Sequence, residues 1–156
     1  MYIRKAQEKD IERIGDLLAQ VLAVHAALRP DLFRPGTVKY TKEDLVGILQ
    51  DETRPVFVAV DEADAVQGYA FCRLREPTES RHMTPHRTFF IDDLCVDGAV
   101  RGRGVGRALF DFVKKEAERL GCYAVTLNVW EGNDGARRFY EAMGMRPSKT
   151  QMEMIL

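Results

Sequence analysis

Three features that would point to export, metal binding or a polyanionic partner are missing from this sequence. Cysteine is scarce: Cys72, Cys95 and Cys122 are odd in number and widely spaced, so they form neither a disulfide framework nor a C-x-x-C metal pattern. Buried thiols in a reducing compartment account for them, and no metal site is expected. Long apolar runs are also missing. The chain starts Met1-Tyr2-Ile3-Arg4-Lys5 and passes straight into a charged amphipathic stretch, with nothing that reads as a signal peptide or a membrane span. Nor is there an excess of charge of one sign. The 23 Lys and Arg residues face 24 Asp and Glu, a net charge of -1, which supplies no field to gather nucleic acid or an anionic membrane. The expectation is a cytoplasmic protein with neither nucleic-acid nor membrane partners.

Repeats, low-complexity segments and linkers are absent as well, and at 156 residues with 46% hydrophobic side chains the chain suits one domain over residues 1–156 with an adequate core. Residues 2–6 read as a first strand. Ile11, Ile14, Leu17, Leu18, Val21 and Leu22 then recur at helical spacing. Pro30 and Pro35 break that helix, and Thr41 with Asp44 three residues later looks like the capped start of a second. Residues 56–60 and 66–74 form a hairpin across a polar link, residues 76–86 an exposed loop with two histidines, and residues 87–96 a further strand. The periodicity predicts a helix over 105–120 stopped by Gly121, a strand over 124–130, a helix capped by Asn133 or Asp134 and running through Met143, and a closing strand over 152–156. This order of elements implies an α/β fold, a mixed sheet with helices on both faces.

The most informative segment is Leu94-Cys95-Val96 followed by Arg101-Gly102-Arg103-Gly104-Val105-Gly106-Arg107, a strand end, a glycine-rich turn and a helix start. Glycines let a backbone approach an anion closely, the first amides of a helix lack partners, and the helix dipole adds positive potential. Arg101, Arg103 and Arg107 can supplement that nest. It is not a Walker loop, because no Gly-Lys-Ser/Thr follows, and no early β-α unit places it as a dinucleotide fingerprint. Read alone, the loop leaves phosphate binding and an ordinary solvated turn both open.

Two motifs together carry a resemblance. Residues 101–106 resemble the R/Q-x-x-G-x-G/A motif of the GNAT acetyltransferases, and Asn133-Asp134-Gly135-Ala136-Arg137-Arg138-Phe139-Tyr140-Glu141-Ala142-Met143-Gly144-Met145 resembles that family's C-terminal N-x-x-A-x-x-F-Y-x-x-x-G-F signature, with Met145 where Phe is usual. The resemblance implies a mostly antiparallel mixed sheet whose fourth and fifth strands splay apart, and direct transfer of an acetyl group from acetyl-CoA to an amine. It further implies that residues 102–107 hold the CoA pyrophosphate, that the backbone of Leu94, Cys95 and Val96 pairs with the pantetheine arm, and that an amide near Leu94 or Cys95 receives the oxyanion. Asn128 and Asn133 are candidate pantetheine contacts, Asn133 equally a helix cap.

Aminolysis needs an uncharged amine, yet an alkyl amine has a pKa near ~10, so a base is required. Asp92 and Asp93 are the candidates. Neighbours on a strand point to opposite faces unless a bulge intervenes, and Asp92 is preferred because similar polyamine acetyltransferases carry Glu at its position. Many relatives place a Glu base earlier on this strand, where this chain has Phe90. Tyr140 matches the family tyrosine that protonates the departing sulfur; its alternative is an amphipathic ring packed beside Phe139. His25 and Phe33 fall in a region that often lines the acceptor pocket, although His25 equally suits the buried face of its helix. Cys95 is read as a small buried thiol, and His82 and His86 as loop histidines rather than zinc ligands. A non-catalytic acyl-CoA sensor and a nucleotide-binding regulatory module are the competing functions, and a homodimer is compatible with the sequence.

Overall fold

The structure is a computed structural model describing all 156 residues. Five strands form one sheet in the order β1 (Tyr2–Lys5), β2 (Val56–Val60), β3 (Val66–Arg75), β4 (Thr88–Val96), β5 (Ala124–Leu127). The first three pairings are antiparallel and β4–β5 is parallel. Helices α1 (Ile11–Leu28) and α2 (Lys42–Gln50) cover one face, and α3 (Val105–Arg119) covers the other with α4 (Asp134–Ala142) beside it.

Alternation in β2 explains the two layers. Val56, Val58 and Val60 pack against Ile14, Leu17, Leu18, Leu45 and Ile48 of α1 and α2, whereas Phe57 and Ala59 pack against Leu109, Phe110 and Val113 of α3. Each of the Val, Leu, Ile and Phe side chains contributes about 1.5–3 kcal/mol when fully buried, which lets the fold carry ionisable groups in its interior at the site described below. Thr41 caps α2 as its spacing predicts: its side chain accepts from the Asp44 amide, and the Asp44 carboxylate accepts from the Thr41 amide. Gly68 is required where β3 meets β4, since a Cβ there would lie 2.7 Å from the Cys95 carbonyl oxygen.

Two expectations are corrected. The strand expected over 124–130 ends at Leu127, because β4 and β5 diverge: their pairing stops at Ile91 opposite Leu127. The closing strand expected over 152–156 is not formed. The segment is mostly large and apolar, as a strand would be, but it makes no backbone hydrogen bond to any strand of the sheet. No helix is long and apolar enough to cross a membrane.

Candidate active site

The divergence of β4 from β5 opens a wedge. From Asp93 to Val96, β4 is paired with β3 on one side only, so its other edge offers free amides and carbonyls toward the gap. Leu94, Cys95 and Val96 are on this open stretch.

The glycine-rich turn stands at the wide end of the wedge. Gly104 is the N-cap of α3 with φ 80° and ψ 5°, and Gly102 has φ 79°, left-handed conformations that a β-branched residue adopts only under strain. No heavy atom lies within 4 Å of a Cβ built on either glycine. Conformation rather than crowding therefore demands glycine here, and the loop face is open. Gly106 differs, because a Cβ there would meet the Phe139 ring at 3.3 Å and the Val96 side chain at 3.5 Å. That contact holds the start of α3 against α4 and the end of β4. Arg101 donates to the Val96 carbonyl at 3.4 Å, while Arg103 and Arg107 are exposed. The cluster of unpartnered helix amides and three guanidinium groups suits a diphosphate.

Asp92 and Asp93 face the same way. Phe71 of β3 pairs with Asp93 and the adjacent Cys72 pairs with Ile91, so Asp92 is the extra residue of a β-bulge. Phe89 and Ile91 point toward α3, as do Leu94 and Val96; the alternation slips by one between them and leaves both aspartates on the α1–α2 face. Their surroundings differ. Asp92 sits 3.5 Å from the Lys39 ammonium and 4.0 Å from the Arg73 guanidinium, and the Tyr40 hydroxyl donates to it at 3.4 Å. Asp93 accepts from the Tyr69 hydroxyl at 2.9 Å and has no ion-pair partner within 4.0 Å. Burial pushes its carboxyl up to about 6, against the opposing pull of Lys39 and the Tyr69 hydrogen bond. Tyr69 is itself fully buried and held protonated by that burial and by the neighbouring carboxylate, so its hydroxyl is a lasting donor to Asp93.

Tyr140, in the last turns of α4, stands close enough to Asp93 to feel its charge; burial first, then that charge, raises its phenol above the ordinary range. Its ring packs against Phe139 and Phe110, centroids 5.1 and 6.2 Å away. The hydroxyl has no protein hydrogen-bond partner and is not sealed from solvent. Cys95, on the bulged strand, is buried with its thiol pushed up to about 12, chiefly by burial, and it donates to the Leu17 carbonyl. It is no nucleophile at neutral pH.

The far side of the wedge is aromatic. His25 and Phe33 rings lie 5.2 Å apart, Phe33 meets Trp130 edge-on at 5.6 Å, and the Arg29 guanidinium lies 5.7 Å from the Trp130 ring. Burial, then Lys39, lowers the His25 pKa, so the imidazole is neutral near pH 7. Asn133 accepts from the Ala136 amide and caps α4, while Asn128 is exposed just past β5. His82 contacts Ser80, and His86 contacts the Thr84 carbonyl and packs on Tyr123; both are away from the wedge. Sequence reasoning missed Lys39, Tyr40, Tyr69, Arg73 and Trp130. Only tertiary packing brings them to the aspartates and to Phe33.

Comparison with known proteins agrees with this geometry. Residues 20–145 match the family described as "Acetyltransferase (GNAT) family". The chain spans about half the length of the curated relatives it matches. Among them, peptidyl-lysine N-acetyltransferase YjaB of Escherichia coli is 35% identical over 104 residues, 67% of this chain and 57% of that one. The structure of a single-site mutant of the BH1408 protein from Bacillus halodurans is 33% identical and superposes with a TM-score of 0.96 over 100% of this chain and 99% of that one. Aminoglycoside N-acetyltransferase AAC(6')-Iy, solved in complex with CoA, shares the fold at 18% identity with a TM-score of 0.73, covering 99% and 98% of the two chains. With the family matched over residues 20–145 and the splayed β4–β5 wedge in place, the chain belongs to the GNAT acetyltransferase family.

Proposed function

We propose that the chain transfers the acetyl group of acetyl-CoA to a primary amine of a small molecule or a protein, by direct attack while both are bound. The observation that carries this reading is the nearness of Asp93 and Tyr140 on elements next to the β4–β5 divergence: a carboxyl raised to about 6, and a phenol without a hydrogen-bond partner that is close enough to feel its charge.

Amides of Gly102, Arg103, Gly104, Val105, Gly106 and Arg107, with Arg101 beside them, would hold the diphosphate, and the free edge of Leu94, Cys95 and Val96 would pair with the pantetheine amides. Acetyl-CoA supplies an activated acyl group and a thiol leaving group. Asp93 removes the proton that keeps the acceptor nitrogen from attacking, and Tyr140 gives a proton to the sulfur as it departs. Asp93 is preferred over Asp92 because Lys39 and Arg73 already share the charge of Asp92. That pairing suits Asp92 to drawing in and orienting an ammonium group, with Lys39 displaced as the acceptor arrives. His25, Phe33 and Trp130 would form the apolar wall of the acceptor pocket.

CoA release measured with acetyl-CoA across a panel of alkylamines, aminosugars and lysine peptides tests the activity. At least one class is expected to turn over well above the hydrolytic background; hydrolysis alone with every amine would overturn the reading. Donor binding has its own check. Saturation at about 100 times Kd adds about 2.7 kcal/mol, so acetyl-CoA is expected to raise Tm by roughly 5–10 °C, and ATP at the same concentration by much less. Equal shifts with the two would count against the donor site.

Gly104→Val places a β-branched residue at φ 80°, where the strained loop reorients its amides. We expect a folded protein whose Kd for CoA rises about tenfold or more, read by calorimetry. A folded variant with unchanged affinity would put the diphosphate elsewhere.

A further inference from the structure

One primary amine of this chain already stands where an acceptor amine would have to stand. Lys39 lies on the irregular connection between α1 and α2, residues 29–41, and its ammonium reaches the strand that carries both aspartates, 3.5 Å from the Asp92 carboxylate. The Tyr40 ring is beside it, the nitrogen 5.3 Å from the ring centroid, and the Tyr40 hydroxyl donates to the same carboxylate. The charge of Lys39 also reaches past Asp92. It opposes the rise of the Asp93 carboxyl and helps to lower the His25 imidazole, so the ammonium is close both to the aspartates and to the aromatic wall that starts at His25.

No other lysine shares this place. Lys9 pairs with Asp64 instead, and Lys39 alone among the lysines forms an ion pair with Asp92 or Asp93. Arg73 faces Asp92 as well, at 4.0 Å, but a guanidinium keeps its charge and offers no free amine. A lysine ammonium is a compact charge on a flexible four-carbon stem, and Lys39 is exposed, free to change rotamer. The β-bulge puts Asp92 and Asp93 on one face of the sheet, so the swing from one carboxylate to the next is short. A tethered amine beside the reacting groups needs no encounter from solution, which gives it a large advantage over free amines.

We propose that Lys39 is itself an acceptor: with acetyl-CoA bound and no amine in the pocket, the chain acetylates its own Lys39. The proposal rests on the transferase reading above and adds a modification site to it. The ε-nitrogen attacks the thioester carbonyl carbon, a C–N bond forms and the C–S bond breaks. The ammonium loses two protons in all. One passes through Asp93 to water, and the other replaces the proton that Tyr140 gives to the sulfur, so the products are N-acetyl-Lys39, the CoA thiol and one proton. The acetamide carries neither charge nor nucleophile. The event therefore happens once per chain, and it releases Asp92 from its ion pair with Lys39.

The test uses the full chain with isotope-labelled acetyl-CoA and no added amine. Denatured mass is expected to rise by one acetyl group, and peptide mapping to find it on Lys39 at least about tenfold faster than on Lys42, an exposed lysine three residues along. The first-order rate is expected to stay constant over about a hundredfold range of protein concentration, as an intramolecular step requires. Lys39→Arg is expected to take only the slow, even background of the other lysines. Mapping and rate order are read on the wild-type chain, so they stand even if that variant fails to fold. Turnover of an amine from the panel above with Lys39 unlabelled overturns self-acetylation and leaves the transferase reading in place, whereas neither turnover nor label overturns both. Labelling of Lys39 no faster than Lys42 also overturns the proposal. So does a rate that climbs with protein concentration, the mark of one copy acetylating another.

Discussion

Asp93→Asn is expected to lower kcat/KM near pH 7 by about 10²- to 10⁴-fold, the usual range for a general base, and to erase the rising limb expected of the wild-type pH profile near about 6, where burial places the Asp93 carboxyl. At neutral pH an alkyl amine with a pKa near ~10 is almost wholly protonated. A variant without the base must wait for the rare free amine, so its deficit should shrink as pH approaches ~9–10. Asp92→Asn removes a carboxylate that faces Lys39 and Arg73, and is expected to act mostly on KM and to keep the limb. An Asp93→Asn enzyme that keeps the limb near pH 6, measured with the best amine found, would take the base role away from Asp93.

The same substitution should stabilise the fold. Burial raises the Asp93 pKa from the unfolded 3.8 to about 6, so the folded state prefers the protonated form. The stability this group offers is complete below about pH 4 and is lost as pH rises through about 6. Above that, an ionised Asp93 costs at most about 2–3 kcal/mol. Asn keeps an acceptor for the Tyr69 hydroxyl without the charge. A Tm gain larger at pH 8 than at pH 4, alongside lost activity, is the mark of a strained functional group.

The features legible in the sequence are those decided by short-range chemistry. Gly102 and Gly104 take left-handed conformations that few other residues tolerate, and Thr41 and Asp44 cap one another within a single turn; neither depends on what lies across the fold. The aspartates show the opposite case. Their two-residue alternation would put them on opposite faces, and whether a bulge overrides it is decided by how β4 meets Phe71 and Cys72 of β3, about twenty residues away in the chain. The apolar composition of residues 152–156 reads as a strand, but propensity does not supply hydrogen bonds, and the segment makes none to the sheet. Trp130 and Tyr40 belong to the same class. One lies past the end of β5 and the other just before α2, and only packing against Phe33 and Phe71 gives them a place at the site.

Tyr140→Phe is expected to slow the chemical step about 10²-fold, near 3 kcal/mol of barrier, while leaving the fold and CoA affinity nearly intact. The low end of the general-acid range applies because a thiolate departs with modest help. Only the hydroxyl is removed, and in the protein that hydroxyl holds no hydrogen bond to another residue; the ring keeps its contacts with Phe139 and Phe110. Burial and the charge of Asp93 raise the phenol pKa, so Tyr140 stays protonated at every pH used for assay. Its loss should therefore cost the same factor from pH 6 to pH 9, in contrast to the shrinking deficit of Asp93→Asn. That difference separates the two roles: the deficit of a missing base is made up by free amine, whereas no change of pH within this range replaces a missing proton donor. Single-turnover rates measured across that range would decide it. A folded, CoA-binding Tyr140→Phe protein with the wild-type rate would make Tyr140 a packing residue, with the sulfur leaving unassisted.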